Sequence, residues 1–437
     1  MSAPRTLPWP LVALFTAGYL ASYLLPTTVG RLDAGLPLSA TQAGAVGSAL
    51  LLSSASAGFL LAMSIPPGRA KSRASGRVER IGARTLARAG LALAVLGYGG
   101  AALTDAVPAV VAGLVVGGFG SGTVTTVAAT GIAAQRDPHR ISALGLLGVS
   151  ALAGAIYLTV PHLGAGHGLP PAAIALTALA VWPLTGRLPL RTAAARTSVQ
   201  DASRLPHVRS GLVLAAGMLC WSLAQNSLWG VSGRIGLTQA HLGEATVGAV
   251  FAAALGAGLL GVIGAGALGP RLGRALPIGA GTALIAACIA LSASATDLTT
   301  FATGEIAWNT LYPIVLSYVI GLAASLDPRG RWTVLVGSAS SLGTAAGPLT
   351  GSVLSAQAGF PVMGAVLAVG LLVIALPLTA VALRTGGRPL RGGTRLDAPE
   401  QPVVEIPVNA RAASARRAYG TAGPQQTAAA APGPGTD

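Results

Sequence analysis

RVERIGAR (residues 77–84) and GALGPRLGRA (266–275) are two versions of one segment, basic and glycine-bearing, each set between apolar runs. Aligning Arg80 with Arg271 places Gly82 on Gly273. A short basic turn that recurs between pairs of hydrophobic helices implies an internal repeat, and so a chain of two related halves. Two further matches extend it. Asp137 in RDPHR (136–140) and Asp327 in LDPRGR (326–331) are separated by the same interval to within one residue. Gly44–Val46 (GAV) reappears as Gly248–Val250 at a longer interval, as a longer 66–88 loop in the first half would produce.

The solvent for most of this chain is lipid. Of its 437 residues 52% are hydrophobic and 9% charged, against about 25% charged in a soluble protein. A bilayer core about 30 Å thick needs about 20 apolar residues per helix. Twelve candidate spans can be drawn: 9–29, 42–65, 86–104, 107–132, 141–163, 169–186, 210–230, 245–265, 275–295, 298–323, 332–355 and 361–383. They define an all-α integral membrane protein with twelve transmembrane helices in two pseudo-symmetric six-helix halves. The N-terminal half covers 1–186, a hydrophilic linker 187–209, the C-terminal half 210–383, and a Pro/Gly/Ala/Arg-rich tail, expected to be disordered, 384–437. Ser39 or Thr41 is the expected N-cap of the second span. The glycine- and threonine-rich fourth span, 117–131, is expected to face protein or a cavity.

The net charge of +15 is a topology signal. With the N-terminus inside, the loops 66–88, 133–140, 187–209, 269–274 and 327–331 and both tails hold Lys71 and every arginine except Arg31 and Arg234. By the positive-inside rule both termini are expected to be cytoplasmic in a cell membrane. This placement argues against nucleic acid as the partner and for membrane lipid. The first span is too long for the apolar core of a cleaved signal and is followed by others. Cys220 and Cys288 both lie in spans, which excludes a disulfide framework. The five histidines sit at loops or span ends with no converging acid, so no metal is expected. The absence of a GxxxxGK[ST] loop argues against ATP hydrolysis by that route.

With this topology the chain resembles the major facilitator superfamily, which carries G-x-x-x-D-R-x-G-R-R between helices 2 and 3 and often a degenerate copy between helices 8 and 9. In the first copy Glu79 stands for the acid and Arg80, Gly82 and Arg84 match. In the second, Gly266, Arg271, Gly273 and Arg274 match, and Pro270 replaces the acid. The resemblance implies a monomeric secondary transporter without enzymatic activity. It implies a gating loop in which Glu79 faces a helix N-terminus, with Arg80 and Arg84 as partners, latching the halves on the cytoplasmic side. GTAAGPLTGS (343–352) is similar to the glycine-proline signature of proton-driven exporters, but stands in span 11 instead of span 5. The alternative reading of Pro348 is a packing kink.

Glu305 is the charged residue well inside a span. Such a group costs about 2.5–3.5 kcal/mol on insertion scales and marks a function by default. At helical spacing it shares a face with Trp308, Asn309 and Tyr312. Span 7 offers Gln225, Asn226 and Trp229, span 1 Tyr19 and Tyr23, and span 4 Thr125. The resemblance makes spans 1, 4, 7 and 10 the walls of a central cavity. Aromatic walls with few polar anchors suit a small organic substrate. The expected function is proton-coupled efflux of a hydrophobic or cationic compound, powered by the proton gradient without a cofactor, with Glu305 binding the proton or a cationic group. The alternatives are a metabolite uptake symporter and a transport-inactive membrane sensor or partner protein.

Overall fold

The computed structural model describes residues 8–63, 82–135, 137–188, 205–268, 272–327 and 329–386. Glu79, Arg80 and Arg271, most of the 187–209 linker and the tail from 387 lie outside the described residues. Every regular element described is helical. Helix α1 (Trp9–Tyr23) meets α2 (Leu25–Gly35) at 45° to form one broken span. There follow α3 (Ala40–Met63), α4 (Ala83–Ala102), α5 (Val107–Ala133), α6 (Pro138–Leu163) and α7 (Leu169–Val181), which ends in a 3₁₀ turn, Trp182–Arg187. The second set is α8 (Val208–Arg234) with a π-helical turn Ile235–Gln239, α9 (Glu244–Leu268), α10 (Ala275–Ala293), α11 (Leu298–Leu326) and α12 (Arg331–Gly386).

Among the described residues ten helices are long and apolar enough to cross a membrane, eleven when the bent pair is counted as one span. Helix α12 is broken at Gly359, whose φ of 79° and ψ of 164° lie in a region open essentially to glycine. That break divides it into the two spans expected on either side. The chain is a multi-pass membrane protein.

Local chemistry sets several helix starts. Ser39 and Gln42 form a reciprocal capping box at α3, with Ser39 N–H donating to Gln42 Oε1 (2.8 Å) and Gln42 N–H to Ser39 Oγ (3.3 Å). The repeat-related aspartates do related work. Asp137 caps α6 by accepting from Arg140 N–H. Asp327 accepts from Arg329 N–H and from Arg331 Nε (2.7 Å) just before α12. Burial opposes the Asp327 carboxylate, but these bonds outweigh it and hold its pKa below the ordinary value.

Small residues set the packing, as expected where lipid is as apolar as the interior. The glycines of α5 bring its backbone against α3 and α4: a methyl on Gly122 would lie 2.0 Å from Ser54 O, and one on Gly120 2.5 Å from Gly90 O. The expectation that this span faces protein holds. Helices α1 and α3–α7 pack among themselves, with α1 against α5, α6 and α7. Helices α8–α12 do likewise, α8 lying along α12 and α11 between α9 and α10. Contact between the two groups runs through α6 with α9, α3 with α12, and α2 with α8. Within the second group Gly343, Gly347 and Gly351 form a stripe on α12 against α8. A methyl on Gly351 would lie 2.1 Å from Ser227 O, and one on Gly343 2.2 Å from Leu219 O.

Gly351→Ala should lower the melting temperature of the purified protein by several degrees, because overpacking against backbone costs about 1–3 kcal/mol. Gly256→Ala, on an exposed part of α9 with nothing within 4 Å of the added methyl, should be neutral or stabilising.

Candidate functional site

The seam between α8 and α11 gathers five of the expected site residues. One face of α8 presents Trp221, Gln225, Trp229 and Ser232, and the facing side of α11 presents Tyr312, Trp308 and Glu305. The rungs follow in order. The Trp221 ring stacks on Tyr312 at 5.0 Å. Trp308 Nε1 donates to Gln225 Oε1, and its ring lies 5.6 Å from that of Trp229. Ser232 Oγ donates to Glu305 Oε1 at 2.8 Å. Ser292 of α10 donates to the same oxygen at 2.6 Å. Glu305 is fully buried, and its Oε2 has no hydrogen-bond partner among the described residues. None of the ion pairs among the described residues includes it. Trp221 Nε1 and Gln225 Nε2 are likewise buried without partners.

Other expected residues serve neighbouring contacts. Asn226 looks from α8 to α12, donating to Ser222 O and to Thr344 Oγ1. Asn309 donates to Glu305 O on its own helix. Thr125 meets Gly18, where an added methyl would lie 2.3 Å from Thr125 Oγ1, so it serves the packing of α1 on α5. Tyr19 is buried beside Phe15, their rings 4.5 Å apart. Tyr23 lies where α1 bends.

That bend ties the two helix groups together. Pro26 has no N–H to give to Ser22 O, the acceptor four residues earlier. Trp229 Nε1 of α8 donates to Ser22 O instead, at 3.2 Å. The next carbonyl, Tyr23 O, accepts from the Tyr157 hydroxyl of α6 at 2.6 Å. An aromatic chain continues from Tyr157 to Phe251 on α9 (5.1 Å) and from Phe251 to Trp229 (5.3 Å).

The sequence reading missed the role of the two arginines outside the basic loops. Arg31 Nη2 pairs with Glu244 Oε2 at 2.9 Å, and its Nη1 donates to Gly166 O. Arg234 Nε pairs with Asp33 Oδ2 at 3.1 Å, with its guanidinium over the Phe360 ring. Each pair joins the first helix group to the second, and the two pairs run in opposite directions. A cavity of about 40 Å³ beside the Arg31 pair is lined by Thr27, Tyr157, Gly248 and Phe251 among others. The signal available in the sequence was their exceptional placement; their acidic partners were not readable from it.

At the opposite end, Arg84 and Arg88 tie elements of one group. Arg84 Nη2 donates to Gly186 O and Leu188 O, and Arg88 Nε to Thr185 Oγ1. These bonds join α4 to the end of α7. Gly82 is the extended residue before α4, Gly273 has a φ of +65°, and Arg274 immediately precedes α10.

The fold is that of solved transporters of the major facilitator type. The chain is similar in structure to the human organic anion transporter MFSD10 (TETRAN), at 17% identity and a TM-score of 0.61, covering 86% of this chain and 100% of that one. It is similar to the nucleoside transporter NupG (D323A mutant), at 13% identity and 0.65, covering 85% and 99%. It is also similar to a POT family transporter in complex with a thioalcohol-conjugated peptide, at 13% and 0.68, covering 86% and 96%. By sequence it matches no protein-family model and no curated protein.

Trp308→Phe removes the indole donor and leaves Gln225 Oε1 buried and unpaired, which should destabilise the purified protein by about 1–3 kcal/mol. Adding Gln225→Leu should return part of that loss, since removing both partners costs less than removing one. Thermal melts of the wild type, both single variants and the double variant check this.

Proposed function

We propose that the chain is a secondary transporter that moves a small hydrophobic or cationic organic compound by alternating access, coupled to protons through Glu305, in the direction of efflux. The observation that carries the reading is the carboxyl group of Glu305. It is buried in a span, hydroxyls hold one of its oxygens, and the other is left for a proton or a cationic group. Such a group is too costly to keep in a membrane helix without a use. Arg31 and Arg234 are already neutralised by Glu244 and Asp33, so Glu305 is the charge among these residues without a counterion, and that favours a cationic over an anionic cargo. The aromatic rungs beside it suit planar apolar groups.

Alternating access draws support from the asymmetry of the two ends. Ion pairs cross between the helix groups at the Arg31 end, while Arg84 and Arg88 at the other end bind within their own group. With the basic loops cytoplasmic, as the positive-inside rule expects, and the protein in the cell membrane, this arrangement is closed to the outside. Similar folds in transporters of organic anions, nucleosides and peptides support transport of an organic solute.

The test is uptake of tetraphenylphosphonium and ethidium into proteoliposomes under an imposed pH gradient. The wild type should exceed empty liposomes, and collapsing the gradient should remove the difference. Glu305→Gln should lower the gradient-driven rate by at least about tenfold. A Glu305→Gln variant that transports like the wild type overturns the role of the acid. Failure of both probes to move above background overturns this cargo class.

A further inference from the structure

Glu305 lies near the start of α11. Asp297, the exposed N-cap of that helix, stands eight residues before it, about 12 Å along a helix that rises 1.5 Å per residue. Ser292, which donates to Glu305 Oε1, immediately precedes the turn between α10 and α11. In that turn Ser294, Thr296 and Asp297 are exposed, while Ala293 and Ala295 are buried. The cover between the acid and the solution at the Arg31 end is therefore thin: one turn of backbone and the side chains that hold it down.

One side chain fastens that turn. After Arg234, helix α8 continues as the π-helical turn Ile235–Gln239, closed by Ala240 N–H on Ile235 O at 2.9 Å. Turns of this kind recur at functional sites. Gln239 Nε2 donates to Ala293 O at 2.8 Å and to Ala295 O at 2.9 Å, so both hydrogens of one amide are placed on carbonyls flanking Ser294. The rest of the cover is apolar. Ile235 and Phe301 are fully buried, and a methyl on Gly236 would lie 3.1 Å from Phe301 Cζ. Helices α8, α10 and α11 all belong to the second group, so this fastening is separate from the Arg31–Glu244 and Arg234–Asp33 pairs that join the groups. Those four side chains, Asp297, exposed His241 and the Tyr157 hydroxyl of α6 are the charged and titratable groups around this end. Each named bond they make goes elsewhere than to Glu305: Asp297 accepts from Thr300, and Tyr157 donates to Tyr23 O.

We infer that Gln239 is the latch of a proton entrance to Glu305 that lies inside the second helix group, separate from the interface between the groups. When its amide lets go of Ala293 O and Ala295 O, the α10–α11 turn lifts and water reaches the unpartnered Glu305 Oε2. The carboxylate takes a proton from a hydronium ion there, leaving water, and returns it by the same route. Ser232 and Ser292 hold Oε1 throughout. While the latch is shut the acid keeps whichever charge it has. Gln239 is a positioning residue and does not itself transfer the proton. The inference rests on the reading of Glu305 as the proton-binding acid.

The experiment is modification of Glu305 by a water-soluble carbodiimide with glycinamide in full-length purified protein, read by peptide mass spectrometry. Gln239→Leu keeps the bulk and removes both donors, and should raise the rate by about tenfold or more, as the loss of two hydrogen bonds to the turn implies. Thr238→Ala, beside it, loses only a hydroxyl bonded to Arg234 O of its own helix and should leave the rate unchanged. Gly351→Ala should lower the melting temperature without raising the rate, which separates release of the latch from general loosening. To shut the route between the groups, Arg31→Cys and Glu244→Cys are joined by a short thiol cross-linker in protein carrying Cys220→Ala and Cys288→Ala. Gln239→Leu should keep its faster rate in the cross-linked protein. If cross-linking abolishes the gain, the acid is reached between the groups, and the inference fails while alternating access stands. If Gln239→Leu reacts at the wild-type rate while the unfolded protein reacts fully, the inference fails and the proton reading of Glu305 stands. If Glu305→Gln transports like the wild type, the proton reading falls and takes the entrance with it.

Discussion

A proline in a membrane helix leaves a carbonyl without its helical partner, and in this protein two such carbonyls, Ser22 O and Tyr157 O, lie where the two groups of helices meet. Pro26 takes the helical partner from Ser22 O, and Trp229 of the other group supplies a replacement. Pro161 does the same to Tyr157 O, and Gly248 of the other group lies over it. Beside Pro348, Leu349 N–H is bonded to Ser48 across the seam. Backbone polar groups must be satisfied internally within the hydrocarbon core. A kink that would be an unpaired defect in an isolated helix becomes an attachment point when a second group of helices can answer it.

Charge adds to this attachment at one end. Nearly all of the basic residues lie in loops and tails. The two exceptions, Arg31 and Arg234, cross the seam to acids of the opposite group. The Arg31 side chain is 4% exposed and that of Glu244 38%, so the pair sits between a dry interior and the water beyond it. Breaking such a pair without replacing it leaves a poorly solvated charge, whereas water or an incoming polar group can take over the exposed acid. The pair is therefore held by an interaction that water can weaken from its own side.

The α8–α11 seam follows a different logic. Its rungs are graded from aromatic at Trp221 and Tyr312, through the amide–indole pair of Gln225 and Trp308, to the carboxyl and hydroxyls of Glu305, Ser232 and Ser292. Glu305, Trp308 and Tyr312 were legible in the sequence as one helical face, because an acid and two aromatics at helical spacing stand out in an apolar span. Gln225 and Trp229 were legible as candidates, but their partners were not. Ser232 and Ser292 gave no signal, since a serine in a glycine- and alanine-rich helix looks like any other small residue. Asn226 carries as much polar character as Gln225, yet the rotation of α8 turns it to Thr344 on α12.

From sequence follow the apolar spans, the breaks between them, the internal repeat and the asymmetry of charge, because a lipid solvent imposes length and composition on every crossing segment. The same solvent hides the rest. A helix in water shows its buried face by amphipathicity; a helix in lipid has apolar residues all round, and which face meets protein is set by where glycines and serines let backbones approach. The tertiary structure therefore decided which stripe of α8 looks at α11, which acids answer Arg31 and Arg234, and that the repeated GAV glycines lie between the two groups of helices. Those are matters of close contact between residues far apart in the chain, and no periodicity along it encodes them.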